Sequence, residues 1–223
     1  MFAWLSSITS AHGYAWDCAT GNGQAAHQLS SYYRRIIATD GSKQQISNAE
    51  PLENIEYAVA FETCPLIAGN SIDLVTVAQA IHWFDTNKFF DEVNRVLKPG
   101  GVLAIWGYNL LSISPDIDEI INNFYWNTLN GYWPPERKIL EDQYASITIP
   151  FHELKTPSFE MIKQWDLQQL VGYLATWSAV KNYRQAEKID PIPRLTGQLS
   201  DLWGNNDQIT VTWPLTIRVA TIA

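Results

Sequence analysis

Ala15-Trp16-Asp17-Cys18-Ala19-Thr20-Gly21-Asn22-Gly23-Gln24-Ala25-Ala26 is the stretch whose reading decides the fold. It joins a strand end, a glycine turn and a helix start. Tyr14 to Cys18 is apolar and aromatic, as a buried strand requires. Gly21 and Gly23 lack the Cβ atoms that keep a ligand away from the backbone. From Gln24 the pattern turns helical, with Ala25, Ala26 and Leu29 on one packable face. The N-terminus of such a helix offers unpaired N–H groups to a carboxylate or phosphate. By itself a G-x-G turn is equally an ordinary tight turn, so its meaning depends on the residues downstream of it.

A second short apolar strand, 34–39, ends at Asp40, about twenty residues beyond the glycines. That is where a nucleotide-binding fold places an acidic residue on the ribose hydroxyls, since a carboxylate accepts hydrogen bonds from both. Ser42 is placed to cap a helix over 43–49. A third strand is expected at 54–60, followed by a loop, 61–66, in which Pro65 prevents continuation. The run 71–78 is apolar on both faces and reads as a parallel strand covered on both sides. A helix over 87–97 is capped by Asp85 or Thr86, a tight turn occupies 98–101, and a fifth strand covers 102–106. Strands alternating with helices give an α/β class: a doubly wound, mostly parallel, Rossmann-like sheet with ligands at its carboxyl edge.

After Tyr108 the rhythm breaks. Helices are expected at 116–129 and 136–140, a strand at 159–165, helices at 167–174, 179–187 and 194–203, and a closing antiparallel strand at 208–222. The expected organisation is a single domain: a ligand-binding half over 1–108, a helical insertion over 109–150, and C-terminal strands and helices over 151–223.

Composition narrows the partners. The net charge of -8 and the lack of a Lys/Arg cluster argue against nucleic acid and acidic membrane surfaces. Cys18 and Cys64 form no metal spacing or disulfide framework, and the histidines have no metal-binding spacing, so no metal is expected. No run is of membrane-spanning length and no signal peptide is evident, which leaves a cytoplasmic enzyme as the default. Ten Trp and ten Tyr are enough to line a ligand cleft as well as a core. Oligomeric state is not readable.

Asp17-x-x-x-Gly21-x-Gly23, Asp40 and Leu97-Lys98-Pro99-Gly100-Gly101 together resemble the class I S-adenosylmethionine-dependent methyltransferases. The segments 78–85, 132–137, 176–179, 190–191 and Trp213-Pro214-Leu215-x-x-Arg218 resemble, within them, the type 11 group that includes trans-aconitate methyltransferase-like proteins. Two departures stand out. Members carry an N-terminal segment with Tyr and Arg-Pro-x-Tyr-Pro, and this sequence starts just after that place. Ala60 stands where many class I enzymes have an acidic residue for the adenine amino group.

The resemblance implies S-adenosylmethionine as cofactor and a small-molecule methyl acceptor, with a carboxylic acid as one acceptor class. Gly21 and Gly23 would admit the cofactor, and Asp17 would orient the loop or meet the amino group. Asp40 would hold the ribose, Phe61 and Glu62 would flank the adenine, and Gln79 would lie near the methyl group. His82 is the candidate general base or substrate hydrogen-bond partner. Trp83, Tyr108, Trp133 and Trp177 are candidate walls of the acceptor pocket. Arg137 and Arg184 are candidate cations for an acid, while Arg218 equally suits a structural ion pair. Two other readings stay open: a cofactor-binding protein without activity or an inactive remnant, and a nicotinamide-dependent oxidoreductase, whose fingerprint Gly21-x-Gly23-x-x-Ala26 and Asp40 also satisfy.

Overall fold

The computed structural model describes residues 1–204 and 206–222. The chain divides into two compact units. One comprises Met1–Gly107, Asp142–Phe159 and the chain end from Thr216; the other comprises Tyr108–Glu141 and Glu160–Leu215. The segment expected as an insertion, 109–150, is therefore shared out: its last part folds with the first unit, and its remainder groups with residues far along the chain.

In the first unit, α1 (Phe2–Ile8) leads into β1 (Tyr14–Cys18), α2 (Gln24–Leu29), β2 (Arg35–Asp40), α3 (Lys43–Ser47), β3 (Ile55–Val59) and β4 (Ile72–Ala78). A 3-10 turn, Ile81–Trp83, precedes α4 (Thr86–Val96) and β5 (Leu97–Tyr108). β1 to β4 thus match their expected spans to within a residue, and Ser42 caps α3 as expected by accepting from the Gln45 N–H. Asp85 likewise caps α4 through the Lys88 N–H.

The second unit carries α5 (Pro115–Asn123), which runs into a π-helical turn, Phe124–Thr128, and then α6 (Arg137–Glu141). A short strand of the first unit, β6 (His152–Leu154), has no counterpart in the expected pattern. Then come β7 (Phe159–Trp165), α7 (Leu167–Ala175), α8 (Ser178–Glu187), α9 (Ile192–Trp203) and β8 (Ile209–Thr221).

The sheet order is β3-β2-β1-β4-β5-β8-β6, with β7 pairing β8 off that path. β3, β2, β1, β4 and β5 are parallel neighbours, and β6 pairs antiparallel with β8. The order reverses between β1 and β4. That is the switch point at which doubly wound sheets open a crevice beyond their strand ends.

Period-two alternation divides the strand side chains between two faces. Ala15, Ile36, Leu74, Val102 and Ala104 pack with Leu5 of α1 and Ala26 and Leu29 of α2. Trp16 turns the other way, with its ring centroid 6.4 Å from Phe89 of α4. Both faces are covered, and β4 is buried along almost its whole length, as its apolar run requires.

The turn expected at 98–101 is built as a bulge inside β5. Ile72 pairs with Leu97 but Leu74 already pairs with Val102, so Lys98–Gly101 loops out. Gly100 takes φ +73°, and a Cβ on Gly101 would sit 2.8 Å from the Lys98 carbonyl. Lys98 reaches the buried Asp73 at 2.6 Å, while the other Asp73 oxygen accepts from the N–H groups of Gly13 and Tyr14. This part of the Leu-Lys-Pro-Gly-Gly motif therefore anchors the start of β1.

The second unit has its own core, in which Ile121, Phe124, Tyr125, Leu170, Leu174, Trp177, Leu199 and Trp213 meet. The π turn replaces the last turns of the expected 116–129 helix and brings both Phe124 and Tyr125 into that core.

Candidate functional site

A cleft of about 470 Å³ opens beyond the carboxyl ends of β1, β2 and β4. This is within the size range of small-ligand sites. Ala19 follows β1, Asp40 and Gly41 end β2, Ala60, Phe61 and Glu62 follow β3, and Ala78, Gln79 and Ala80 end β4. Gln45, Trp83 and Phe84 complete the lining. Of the sequence candidates, Asp40, Phe61, Glu62, Gln79 and Trp83 thus meet in one place.

Two non-glycine residues of the lining are left-handed, Ala19 at φ +55° and Gln79 at φ +57°. Each comes directly after one of the two strands that flank the switch point. The conformation bends the chain sharply away from its strand, and its strain is of the kind that collects at ligand sites. The Gln79 N–H still donates to the Trp106 carbonyl at 2.8 Å.

Asp17 is fully buried and does not line the cleft. It accepts from the hydroxyl of Thr20 at 2.5 Å and from that of Thr76 at 2.7 Å. Burial pushes its carboxyl up to about 6, against the hydrogen bonds from Thr20, Thr76 and the Ala26 backbone. Of the two roles expected for it, orienting the loop is the one this geometry carries.

The two glycines have different jobs. A Cβ on Gly21 (φ +60°) would meet nothing within 4 Å, so this is the open approach to the backbone. A Cβ on Gly23 (φ +91°) would lie 2.2 Å from the Tyr57 hydroxyl oxygen. Gly23 therefore makes room for Tyr57 of β3, a demand that motif spacing does not reveal. A third glycine, Gly41, carries no motif signal, yet its missing Cβ gives space to the Phe61 ring, whose nearest atom would be 2.7 Å away.

Phe61 is 71% exposed, an apolar ring offered to the cleft. The loop that carries it is tied down behind. The Cys64 N–H donates to buried Glu92, and Arg95 pairs with Glu92 while donating to the carbonyls of Ile67 and Cys64. His82 sits in the 3-10 turn beside Trp83, ring centroids 4.9 Å apart.

The remaining aromatic candidates, Tyr108, Trp133 and Trp177, belong to the second unit. Trp133 and Trp177 approach within 5.5 Å of each other, both near Tyr125, and Tyr108 packs on Trp213 at 6.3 Å. Arg184 is paired fork-to-fork with Asp190 at 3.0 Å. Arg218 takes its structural role, binding Glu153 and the carbonyls of Tyr144 and Ile147. Among the described residues no cluster suits a metal ion, and no helix is long and apolar enough to cross a membrane.

The cleft offers what S-adenosylmethionine requires. It has an acceptor carboxylate at the end of β2, an exposed aromatic ring for a purine, and backbone left bare at Gly21. Comparison with known proteins points the same way. Residues 16–105 match the family described as "Methyltransferase domain". A Dictyostelium discoideum protein named "Putative methyltransferase" is 34% identical over 95% of this chain and 85% of its own length. A Saccharomyces cerevisiae protein named "Probable S-adenosylmethionine-dependent methyltransferase" is 24% identical over 75% of this chain and 66% of its own. A solved structure from Anaeromyxobacter dehalogenans, titled as a "Putative Type II Methyltransferase", superposes with TM-score 0.94 at 36% identity, covering 99% of this chain and 94% of that one. These relatives set aside the nicotinamide and inactive-remnant readings, and the chain belongs to the class I S-adenosylmethionine-dependent methyltransferases.

Proposed function

We propose that this enzyme methylates a small molecule bearing a carboxylate, as in the trans-aconitate methyltransferase-like group that its motif segments resemble. The observation that carries the cofactor half of this reading is the cleft at the switch point, with Asp40 and Phe61 on its wall. Asp40 keeps lone pairs for the ribose hydroxyls after its two backbone contacts, with Gly21 and Ser42. Phe61 stacks on the adenine, and Glu62 lies beside it. Gly21 admits the amino-acid end, and Asp17 holds that loop through Thr20. Gln79, turned by its left-handed backbone, faces the reacting end together with Trp83.

Bound S-adenosylmethionine supplies an electrophilic methyl group on a good leaving group, so the protein's work is alignment and exclusion of water. A carboxylate acceptor is already anionic at neutral pH. No residue has to remove a proton, and His82 then serves as a hydrogen-bond partner rather than a base. The acidic chain, with its net charge of -8, supports a small acceptor over nucleic acid.

The test is calorimetric titration with S-adenosylhomocysteine and, separately, with NAD, on the wild type and on Phe61→Ala. S-adenosylhomocysteine is expected to bind, NAD is not, and loss of the ring is expected to weaken binding about tenfold. Unchanged affinity in Phe61→Ala would remove the cleft from the cofactor site.

A further inference from the structure

Arg137 is a cation held in place by groups that do not neutralise it. Its Nε donates to the Tyr125 hydroxyl at 2.5 Å and its Nη2 to the Asn109 Oδ1 at 2.9 Å, both neutral oxygens. Its guanidinium lies over Trp133, 4.3 Å from the ring centroid, and 5.2 Å from that of Tyr125. The nearest carboxylate, Glu141, is 3.9 Å from Nε and accepts instead from the Tyr125 hydroxyl at 2.5 Å. Nη1 has no protein partner among the described residues. The side chain is only 21% exposed. A guanidinium withdrawn from water to this degree and not hydrogen-bonded to an anion is costly, and an anion arriving at its free edge offsets that cost.

Arg184 offers a contrast within the same unit. Asp190 meets it with two bonds of 3.0 Å, and the pair is exposed. A second donor belongs to the same aromatic series as Arg137. Ring contacts run from Trp133 through Tyr125, Trp177 and Tyr173 to Trp213. The Trp213 indole N–H, fully buried, has no hydrogen-bond partner. An orphaned buried donor of this kind calls for an acceptor.

We infer that Arg137 binds a carboxylate of the methyl acceptor, and that this carboxylate is not the one methylated. The inference rests on the carboxylate reading of the proposed function. The second clause follows from reactivity: a guanidinium paired to an oxygen withdraws the electron density with which that oxygen would attack. The acceptor is therefore a di- or polycarboxylate, and Tyr125, Asn109 and Glu141 are positioning residues for the arginine.

The test uses pentanoate, glutarate and tricarballylate as acceptors, with release of S-adenosylhomocysteine as readout. For the wild type, KM is expected to fall at least about tenfold from pentanoate to the diacid or triacid. Arg137→Lys is expected to raise KM for the polyacids by about tenfold with kcat little changed, because lysine cannot reproduce the planar fork. Affinity for S-adenosylhomocysteine and the near-ultraviolet circular dichroism of the aromatic core serve as fold controls. If polyacids are methylated but KM is flat across the series, or is unmoved in a folded Arg137→Lys, the inference about Arg137 is overturned and the carboxylate reading stands. If the wild type binds S-adenosylhomocysteine and methylates none of the acids, the carboxylate reading itself falls, and the inference with it.

Discussion

Asp40 accepts a hydrogen bond from the backbone N–H of Gly21 at 2.9 Å, so the acidic end of β2 and the glycine turn after β1 are one piece of structure. Its second oxygen accepts from the Ser42 N–H at 2.8 Å, which begins the cap of α3. Removing the carboxylate deprives the ligand of an acceptor and the turn of its brace. Asp40→Ala is expected to weaken S-adenosylhomocysteine by about 10- to 100-fold, about 1.4–2.8 kcal/mol. Asp40→Asn, which keeps one oxygen acceptor, should lose less. Calorimetry on the two variants checks the ranking, and an alanine variant within threefold of wild type would remove Asp40 from the site.

The clash between a Gly23 Cβ and the Tyr57 hydroxyl makes the turn depend on a residue of β3. Gly23→Ala combines that overlap with a backbone at φ +91°, and is expected to cost about 2–4 kcal/mol. Gly21→Ala meets only the backbone penalty at φ +60°, about 1 kcal/mol. Replacing Tyr57 by Ala in the Gly23→Ala background should recover the steric part and leave the dihedral strain. Urea denaturation of the single and double variants measures this coupling, expected at about 1 kcal/mol or more; additive losses would assign the whole cost to the backbone.

What the sequence made legible is what period and punctuation encode. The Gly-x-Gly turn, the spacing to Asp40, the Ser42 cap and the apolar run of β4 are local signals, and β7 lies where its pattern puts it. Contacts made across the fold are not written that way. Nothing near Gly23 announces Tyr57. The Lys98–Gly101 segment carries the same glycine signal whether it makes a turn or a bulge. β6 has three residues at a sheet edge, too few to show alternation. The π turn at Phe124–Thr128 shares the apolar spacing of an ordinary helix end, so no local signal marks Tyr125 as the hub of Asn109, Arg137 and Glu141. Spacing also leaves Arg137 and Arg184 equivalent. They differ only in their partners, one held by neutral groups gathered from 109 and 125, the other by a nearby aspartate.

Asp17 links stability to pH in an unusual direction for a carboxylate. Its native pKa of about 6 lies above the ordinary value of 3.8, mainly because it is fully buried. The folded state therefore holds this proton more tightly than the unfolded chain. The associated stability is fully present below about pH 4 and is lost as pH rises through about 6, an effect of about 3 kcal/mol at most. Asp17→Asn cannot ionise. Its stability relative to wild type should therefore improve between about pH 4.5 and about pH 7.5 by up to that amount. Parallel denaturation curves at the two pH values test this, and a difference independent of pH would mean that Asp17 is ionised at both.

Arg218 holds the segment before β6 in place. Its Nη1 donates to the carbonyls of Tyr144 at 2.7 Å and Ile147 at 2.5 Å, while Nε and Nη2 grip Glu153 at 2.9 and 2.6 Å. The segment needs the restraint, because Gln143 and Tyr144 are consecutive left-handed residues, at φ +55° and φ +60°. A lysine can carry the charge to Glu153 but cannot bond two carbonyls and a carboxylate in one plane. Arg218→Lys is thus expected to open residues 142–151 locally, with faster amide exchange there by about ten- to thirtyfold, roughly 1.4–2 kcal/mol. Exchange in β1 and β4, which lie at the centre of the sheet, should stay near wild type. Hydrogen exchange with mass analysis reads both regions at once. Equal acceleration everywhere would show that Arg218 supports the whole unit, and no acceleration at 142–151 would show that the carbonyl contacts do not restrain it.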